Sequence, residues 1–312
     1  MARNTTDTRQ RNGTEKAVSN GSAAETTGSE AASELSGEDL VLRYPSMDEP
    51  VIDGERLVAT PGAVTALVGP NGSGKSTLLK GLAKQLTLDD GTVLLDGGDV
   101  HSMGTKELAR KLGLLSQEST SPESITVEDL VYHGRYPHRG FFETITEEDT
   151  HAVDRAIDLA GCGHVRDREV GSLSGGQKQL AWIAMVLAQD TDVLLLDEPT
   201  TFLDLHHQLE VMEIVETLRE ESDITVVVVL HDIQQAARLA DEMVALKGGE
   251  IQARGTPEEV VTEELLADVF EIDAEVDLTP RGPRIELLRP RHDNGDRNGA
   301  TGQVARSDGG DS

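Results

Sequence analysis

The chain has 312 residues, a formal net charge of -29, 27% charged residues and a single cysteine, Cys162. At about 150 residues per domain, this length holds one large domain or two small ones. One cysteine excludes an internal disulfide or a thiolate metal cluster, and so acidic a chain argues against direct nucleic-acid binding, which needs a basic patch for phosphates.

No run approaches the ~18 apolar residues of a spanning helix. The opening MARNTTDTRQRNGTEK lacks the apolar core of a signal peptide, so a soluble intracellular protein is expected. Residues 1–36 are rich in Thr, Ser, Gly, Asn and Glu and nearly devoid of branched apolar and aromatic residues, too few to offset the entropy of ordering; they are expected to be a disordered tail. The first strong folding signal is Val64–Val68 (VTALV). A short, continuous apolar run is the pattern of a strand in a parallel sheet buried on both faces. It leads directly into Gly69, Pro70, Asn71, Gly72, Ser73, Gly74, Lys75, Ser76 and Thr77, which satisfy the phosphate-loop pattern. Glycines let backbone N–H groups close around phosphates, Lys75 reaches the β and γ phosphates, and the Ser76 hydroxyl can ligate Mg²⁺. The plainer reading is a glycine-rich turn before a helix, but a chance match in a chain this long is on the order of one in a hundred.

Residues 105–171 are polar, with helix-forming stretches such as EEDTHAVDRAIDLA among loops, and are expected to form an inserted helical subdomain. They end at Leu173, Ser174, Gly175, Gly176 and Gln177. A helix follows with Leu180, Ile183, Ala184 and Leu187 at i, i+3, i+4 and i+7, so the motif caps a helix N-terminus, where an anion is favoured. Trp182 lies off that stripe and is assigned no function. Residues 193–196 (VLLL) form a second buried strand that delivers two carboxylates: Asp197, placed to hold Mg²⁺ directly or through water, and Glu198, placed to orient or deprotonate an attacking water. Such a pair alone usually marks a solvated loop; the phosphate loop raises its significance. The neighbours His206 and His207 point to different faces of a helix, which disfavours joint metal ligation. Residues 225–230 (TVVVVL) form a third buried strand, ending at His231. In open α/β sheets ligands bind beyond the carboxyl ends of the strands, so these three junctions are expected to line one site. Residues 271–290 suggest a small hairpin around TPRGP, and residues 291–312 a second disordered tail. No internal repeat is present, which excludes two tandem copies of one domain.

LSGGQ, together with the phosphate loop and VLLLDEP, resembles the ATP-binding-cassette family over about residues 38–280. The resemblance implies an α/β P-loop NTPase core at residues 37–270, with a mostly parallel sheet, an antiparallel β subdomain and an inserted α-helical subdomain. It implies an ATPase using ATP and Mg²⁺, with Glu198 and His231 as catalytic groups. It further implies that Ser174, Gly175, Gly176 and Gln177 meet the γ-phosphate of ATP held by a second copy, giving a dimer with two sandwiched ATPs. On the same resemblance Tyr44 stacks on adenine, an edge-strand tyrosine being the plainer alternative. Gln117 touches Mg²⁺ or its water beside Ser76 and Asp197 and couples to membrane subunits, Asp204 crosses the dimer interface, and His231 contacts the γ-phosphate and the catalytic water.

TTFLDLHHQLEVMEIV, the GRYPH segment at residues 134–138 and VLHDIQQAARLADEMVALKGGEIQARGTPEEVV resemble the importer ATPases for iron-siderophore complexes, haem and cobalamin. This implies a peripheral protein on the cytoplasmic face of the membrane, two permease subunits as partners, and indirectly an extracytoplasmic substrate-binding protein. Residues 1–38 carry a net -2 and residues 290–312 a net -1, leaving -26 on the middle. With only eight lysines, that surface resembles proteins of organisms with molar salt in the cytoplasm, where short screening lengths make self-repulsion tolerable. Two alternatives stay open: an ATPase of another importer class (zinc, phosphate, amino acid), and a soluble cassette ATPase such as one in iron-sulfur assembly. The cargo is not encoded in this chain, because the cargo pocket lies in other subunits.

Overall fold

In the computed structural model, which describes residues 32–117, 123–140 and 144–291, three apolar runs form fully buried strands side by side. The strands are β1 (Leu35–Leu42), β2 (Ile52–Ala59), β3 (Val64–Val68), β4 (Leu88–Leu95), β5 (Gly98–Asp99), β6 (Leu112–Leu115), β7 (Val193–Asp197), β8 (Thr225–Val229), β9 (Glu242–Lys247), β10 (Glu250–Gly255), β11 (Ile272–Thr279) and β12 (Gly282–Pro290). The helices are α1 (Lys75–Leu82), α2 (Thr105–Lys111), α3 (Val127–His133), α4 (Glu147–Leu159), α5 (Gly175–Leu187), α6 (Leu205–Glu221), α7 (Ile233–Leu239), α8 (Pro257–Val260) and α9 (Glu263–Val269). The main sheet has the order β10-β9-β3-β8-β7-β6, parallel from β9 to β6 with β10 antiparallel at one edge. A second, antiparallel sheet has the order β2-β1-β4-β5, and β11 pairs with β12 alone.

Each face of the main sheet has its own core. Val64, Ala66 and Val68 point to a cluster shared with α3, α4, α5, α6 and α7, while Leu67, Val227, Val229 and Leu195 point to one shared with α1 and the antiparallel sheet. Burial on both sides is why these strands read as unbroken apolar runs.

Two boundaries differ from the sequence reading. The helical insertion does not begin at residue 105: Leu112 and Leu115 are buried in β6, which runs parallel to β7, so the inserted body starts beyond Gln117 and consists of α3, α4 and the packed length of α5. Likewise Leu35 and Ser36 belong to β1, paired with Ala59 and Val58, because Leu35 is buried beneath the antiparallel sheet; the N-terminal tail cannot extend to residue 36. Residues 1–31 and 292–312, the rest of the expected tails, lie outside the described residues.

The GRYPH segment divides into structural and exposed parts. A Cβ at Gly134 would lie 2.1 Å from the Met185 carbonyl, so only glycine fits against α5. Arg135 is 2% exposed; its Nε donates to Asp149 Oδ1 at 2.9 Å and its Nη1 to the Ala188 carbonyl at 3.0 Å, tying the start of α4 to the end of α5. Burial opposes the Asp149 charge, but hydrogen bonds from Thr146 and Arg135 outweigh it and hold this carboxyl below the usual range. Tyr136, by contrast, is exposed, its ring 5.0 Å from that of His133.

Removing one partner of a buried ion pair leaves the other charge uncompensated. Asp149→Ala is therefore expected to destabilise the protein by about 3–5 kcal/mol, read as a fall in Tm on the order of 10 °C by calorimetry. A Tm within two or three degrees of the parent, about 1 kcal/mol, would show that Arg135 finds another partner or water.

Candidate functional site

At the carboxyl end of β3 the chain turns through residues 69–74 into α1. Gly69, Gly72 and Gly74 have φ of 145°, 80° and 101°, in the region that favours glycine, and a Cβ at Gly69 would come within 2.1 Å of the Leu246 carbonyl. The loop can therefore turn back tightly on itself, as a backbone cradle for phosphate requires. Lys75 is 4% exposed, and its Nζ donates to the carbonyls of Gly69 and Pro70 at 2.9 Å each. Burial pulls its pKa down, opposed by the negative charges of Glu198 and Asp197.

Asp197 closes β7, and its Oδ1 accepts a 2.7 Å hydrogen bond from Ser76 Oγ. Its carboxyl is pushed above the ordinary value by burial and by the neighbouring Glu198 charge, with the Ser76 hydroxyl working the other way. Glu198 adopts a left-handed backbone, φ 53°, rare for a residue with a side chain. That turn aims its carboxylate at donors from separate segments. Oε1 accepts from His231 Nε2 at 2.6 Å, and Oε2 accepts from Gln117 Nε2 at 2.6 Å and from Thr201 Oγ1 at 3.2 Å. Gln117 follows β6 and His231 follows β8, so the flanking strands of β7 supply two of the three. Tyr44, just beyond β1, reaches the same region: its hydroxyl accepts from Thr77 Oγ1 at 3.4 Å.

The structure thus gathers residues 69–77, Tyr44, Gln117, Asp197, Glu198 and His231 in one place, and adds Thr201, to which the doubled threonine of DEPTT was the only signal in the sequence. It does not bring in the remaining candidates. Ser174, Gly175, Gly176 and Gln177 begin α5, where Ser174 Oγ accepts from Gln177 N and Gln177 Oε1 accepts from Ser174 N; Asp204 caps α6 by accepting from His207 N. Cys162 is buried with its thiol pushed up to about 11, inert by design of its surroundings. Among the described residues no three His, Cys, Asp or Glu side chains converge on a metal position. Ser76 and Asp197 instead offer a pair of hard oxygens, the donor set that suits a small divalent cation completing its shell with phosphate oxygens and water.

A family model described as ABC transporter matches residues 53–201. The ferric enterobactin transport ATP-binding protein FepC of Escherichia coli is 45% identical over 241 residues, 77% of this chain and 88% of that protein. The chain belongs to the ABC transporter ATPases. A probable siderophore transport system ATP-binding protein of Bacillus subtilis is likewise 45% identical, over 248 residues, 80% of this chain and 90% of that one. Among solved structures, a dimeric bacterial ABC transporter cassette superposes with a TM-score of 0.64 at 27% identity, covering 71% of this chain and 98% of the cassette. As an ABC ATPase, the chain binds ATP and couples its hydrolysis to transport. The mostly parallel sheet, the antiparallel sheet and the helical body α3–α5 are the corresponding layers of that fold.

A raised carboxyl pKa means that ionised Asp197 weakens the fold: the penalty is full above the raised value and gone below the unfolded one, about 4. Asp197→Asn keeps an acceptor for Ser76 Oγ and loses the charge. At pH 7 it is expected to melt no lower than the parent in the absence of nucleotide, with any advantage shrinking as the pH falls. A clearly lower Tm at pH 7 would mean that attraction to Lys75 outweighs the burial of the charge.

Proposed function

We propose that the chain is the ATP-hydrolysing subunit of an importer for a ferric siderophore. Two copies work on two permease subunits at the cytoplasmic face of the membrane, and an extracytoplasmic binding protein delivers the cargo. The observation that carries the catalytic part is the grip on Glu198 beside the phosphate loop, with Asp197 and Ser76 paired next to it. The cargo part rests on likeness to the two siderophore relatives and on the shared importer segments.

In this reading the amides of residues 69–74 bind the phosphates, and Lys75 exchanges the Gly69 and Pro70 carbonyls for β and γ oxygens. Tyr44, beside Thr77, supports the adenine. Glu198 orients or deprotonates the attacking water, and His231, hydrogen-bonded to it, faces the γ-phosphate. Mg²⁺, when bound, neutralises charge developing on the β and γ phosphates; Ser76 and Asp197 would hold it, with Gln117 at its side. Residues 174–177 stand apart from their own phosphate loop because they serve the partner's ATP, whose γ-phosphate meets the positive end of α5, and Asp204 crosses at the same interface. ATP bridged by both chains supplies the differential affinity that closes the pair and moves the permeases, and hydrolysis releases it.

Glu198→Gln is expected to lower kcat by about a hundredfold or more while MgATP still binds, measured by phosphate release and by nucleotide titration. Unchanged turnover would remove Glu198 from the catalytic role. In proteoliposomes with the cognate permease, the ATPase should be stimulated by binding protein loaded with a ferric siderophore. Stimulation by haem or cobalamin instead would change the cargo, and co-purification with a soluble partner alone would reject import.

We also infer a chain adapted to high salt, since -26 of the charge lies between the tails. Tm is expected to climb as KCl is raised from about 0.1 M into the molar range, where the screening length falls from about 10 to about 3 Å. A flat or falling Tm would contradict it.

A further inference from the structure

His206 and His207 take no part in the cluster around Glu198, yet they occupy very different places. His206 faces solvent, its Nε2 3.5 Å from Glu210 one turn along α6. His207 turns inward. Its backbone N donates to Asp204 Oδ1 at 3.0 Å and its ring Nδ1 lies 2.8 Å from the same oxygen. A carboxylate oxygen only accepts, so Nδ1 carries the proton. The carbon edge of the imidazole lies on Gly176: a Cβ built there would sit 2.2 Å from His207 Cδ2 and 2.3 Å from Cγ. The ring therefore fills the room that glycine leaves at this position of LSGGQ, and any side chain at 176 would expel it.

One imidazole thus joins two segments that are far apart in the chain and carry the motifs left out of the cluster. The next residue extends the link: Gln208 Nε2 donates to the Leu203 carbonyl at 3.0 Å, and its Oε1 accepts from Gln235 Nε2 at 2.8 Å, on the helix that follows His231. The geometry points to His207 as a positioning residue that makes the start of α5 and Asp204 one rigid surface, so that both arrive on the partner's ATP together. This rests on the two-copy reading proposed above. Without the imidazole, the two segments are separately exposed and must be ordered one by one on closure.

Three variants separate the contacts. His207→Ala removes both, His207→Asn keeps a donor at the Nδ1 position, and His207→Phe keeps a ring on Gly176 without a donor. ADP held by the phosphate loop of a single chain should bind equally well to all three, and Tm should stay near that of the parent. Under saturating MgATP, kcat of His207→Ala should fall about tenfold, the size of one lost hydrogen bond to a charged group, with His207→Asn recovering most of it. In the Glu198→Gln background the MgATP concentration for half-maximal dimer formation, followed by light scattering, should rise by a similar factor. His207→Ala with parental kcat and dimer formation would overturn the assignment. So would parallel losses of ADP affinity and Tm in all three variants, which would make His207 a support of α6 only. If Glu198→Gln with His207 intact stays monomeric in MgATP, it is the two-copy reading that fails, and the role given to His207 falls with it.

Discussion

Glu198 sits at the end of a strand buried on both faces, in a backbone conformation that side chains rarely adopt, with donors on three sides. Gln117 and His231 can reach its two oxygens only if β6, β7 and β8 end level with one another, while Thr201 follows three residues on in the same segment. The parallel register supplies that alignment: Leu196 pairs with Leu115 on one side and with Val228 on the other. The apolar interior of the sheet leaves no other exit for polar groups. Packing on both faces and chemistry at one edge are two consequences of the same arrangement.

The same alignment explains why the site is built from carboxylates under tension. Asp197 and Glu198 are adjacent and poorly solvated, and Lys75 beside them is buried enough for its charge to be disfavoured. Each charge is costly alone, and Lys75 and the carboxylates support one another while the two carboxylates repel, so the group is poised to exchange its internal partners for phosphates and a divalent cation. The glycines at 69, 72 and 74 supply the positive φ angles that turn the loop beside it. On the proposed reading the remaining wall comes from another copy, and the stretch leading into α6 leaves Phe202 and Leu205 96% and 78% exposed to meet it.

Much of this was legible in the sequence, for physical reasons that differ by element. VTALV, VLLL and TVVVVL stand out because a strand buried on both faces carries almost only apolar side chains, Thr65 and Thr225 being the buried exceptions. LGLL is harder to read: β6 is only four residues long, follows directly on the polar helix α2 and blends into the helical stretch. The start of β1 is hidden because Leu35 and Ser36 close a stretch rich in Ser, Gly and Glu that reads as tail, although Leu35 is buried. The motif residues were identifiable one by one, but the contact between Glu198 and His231 was not, since nothing in the chain encodes a 2.6 Å approach across two strand ends. Arg135 shows the opposite failure: an arginine beside an exposed tyrosine reads as surface, and only the packed structure reveals it buried against Asp149. In the sequence His207 reads only as one of two adjacent histidines on different helix faces, and its ring on Gly176 has no local signature.

The central claim is that one chain holds only half of a nucleotide site. The most direct test is the structure of Glu198→Gln crystallised or imaged with MgATP. The account predicts two nucleotides, each between residues 69–77 of one copy and residues 174–177 of the other, with Asp204 at the shared interface. Nucleotide bound by a single chain, with Ser174 and Gln177 facing solvent in the presence of saturating MgATP, would contradict it.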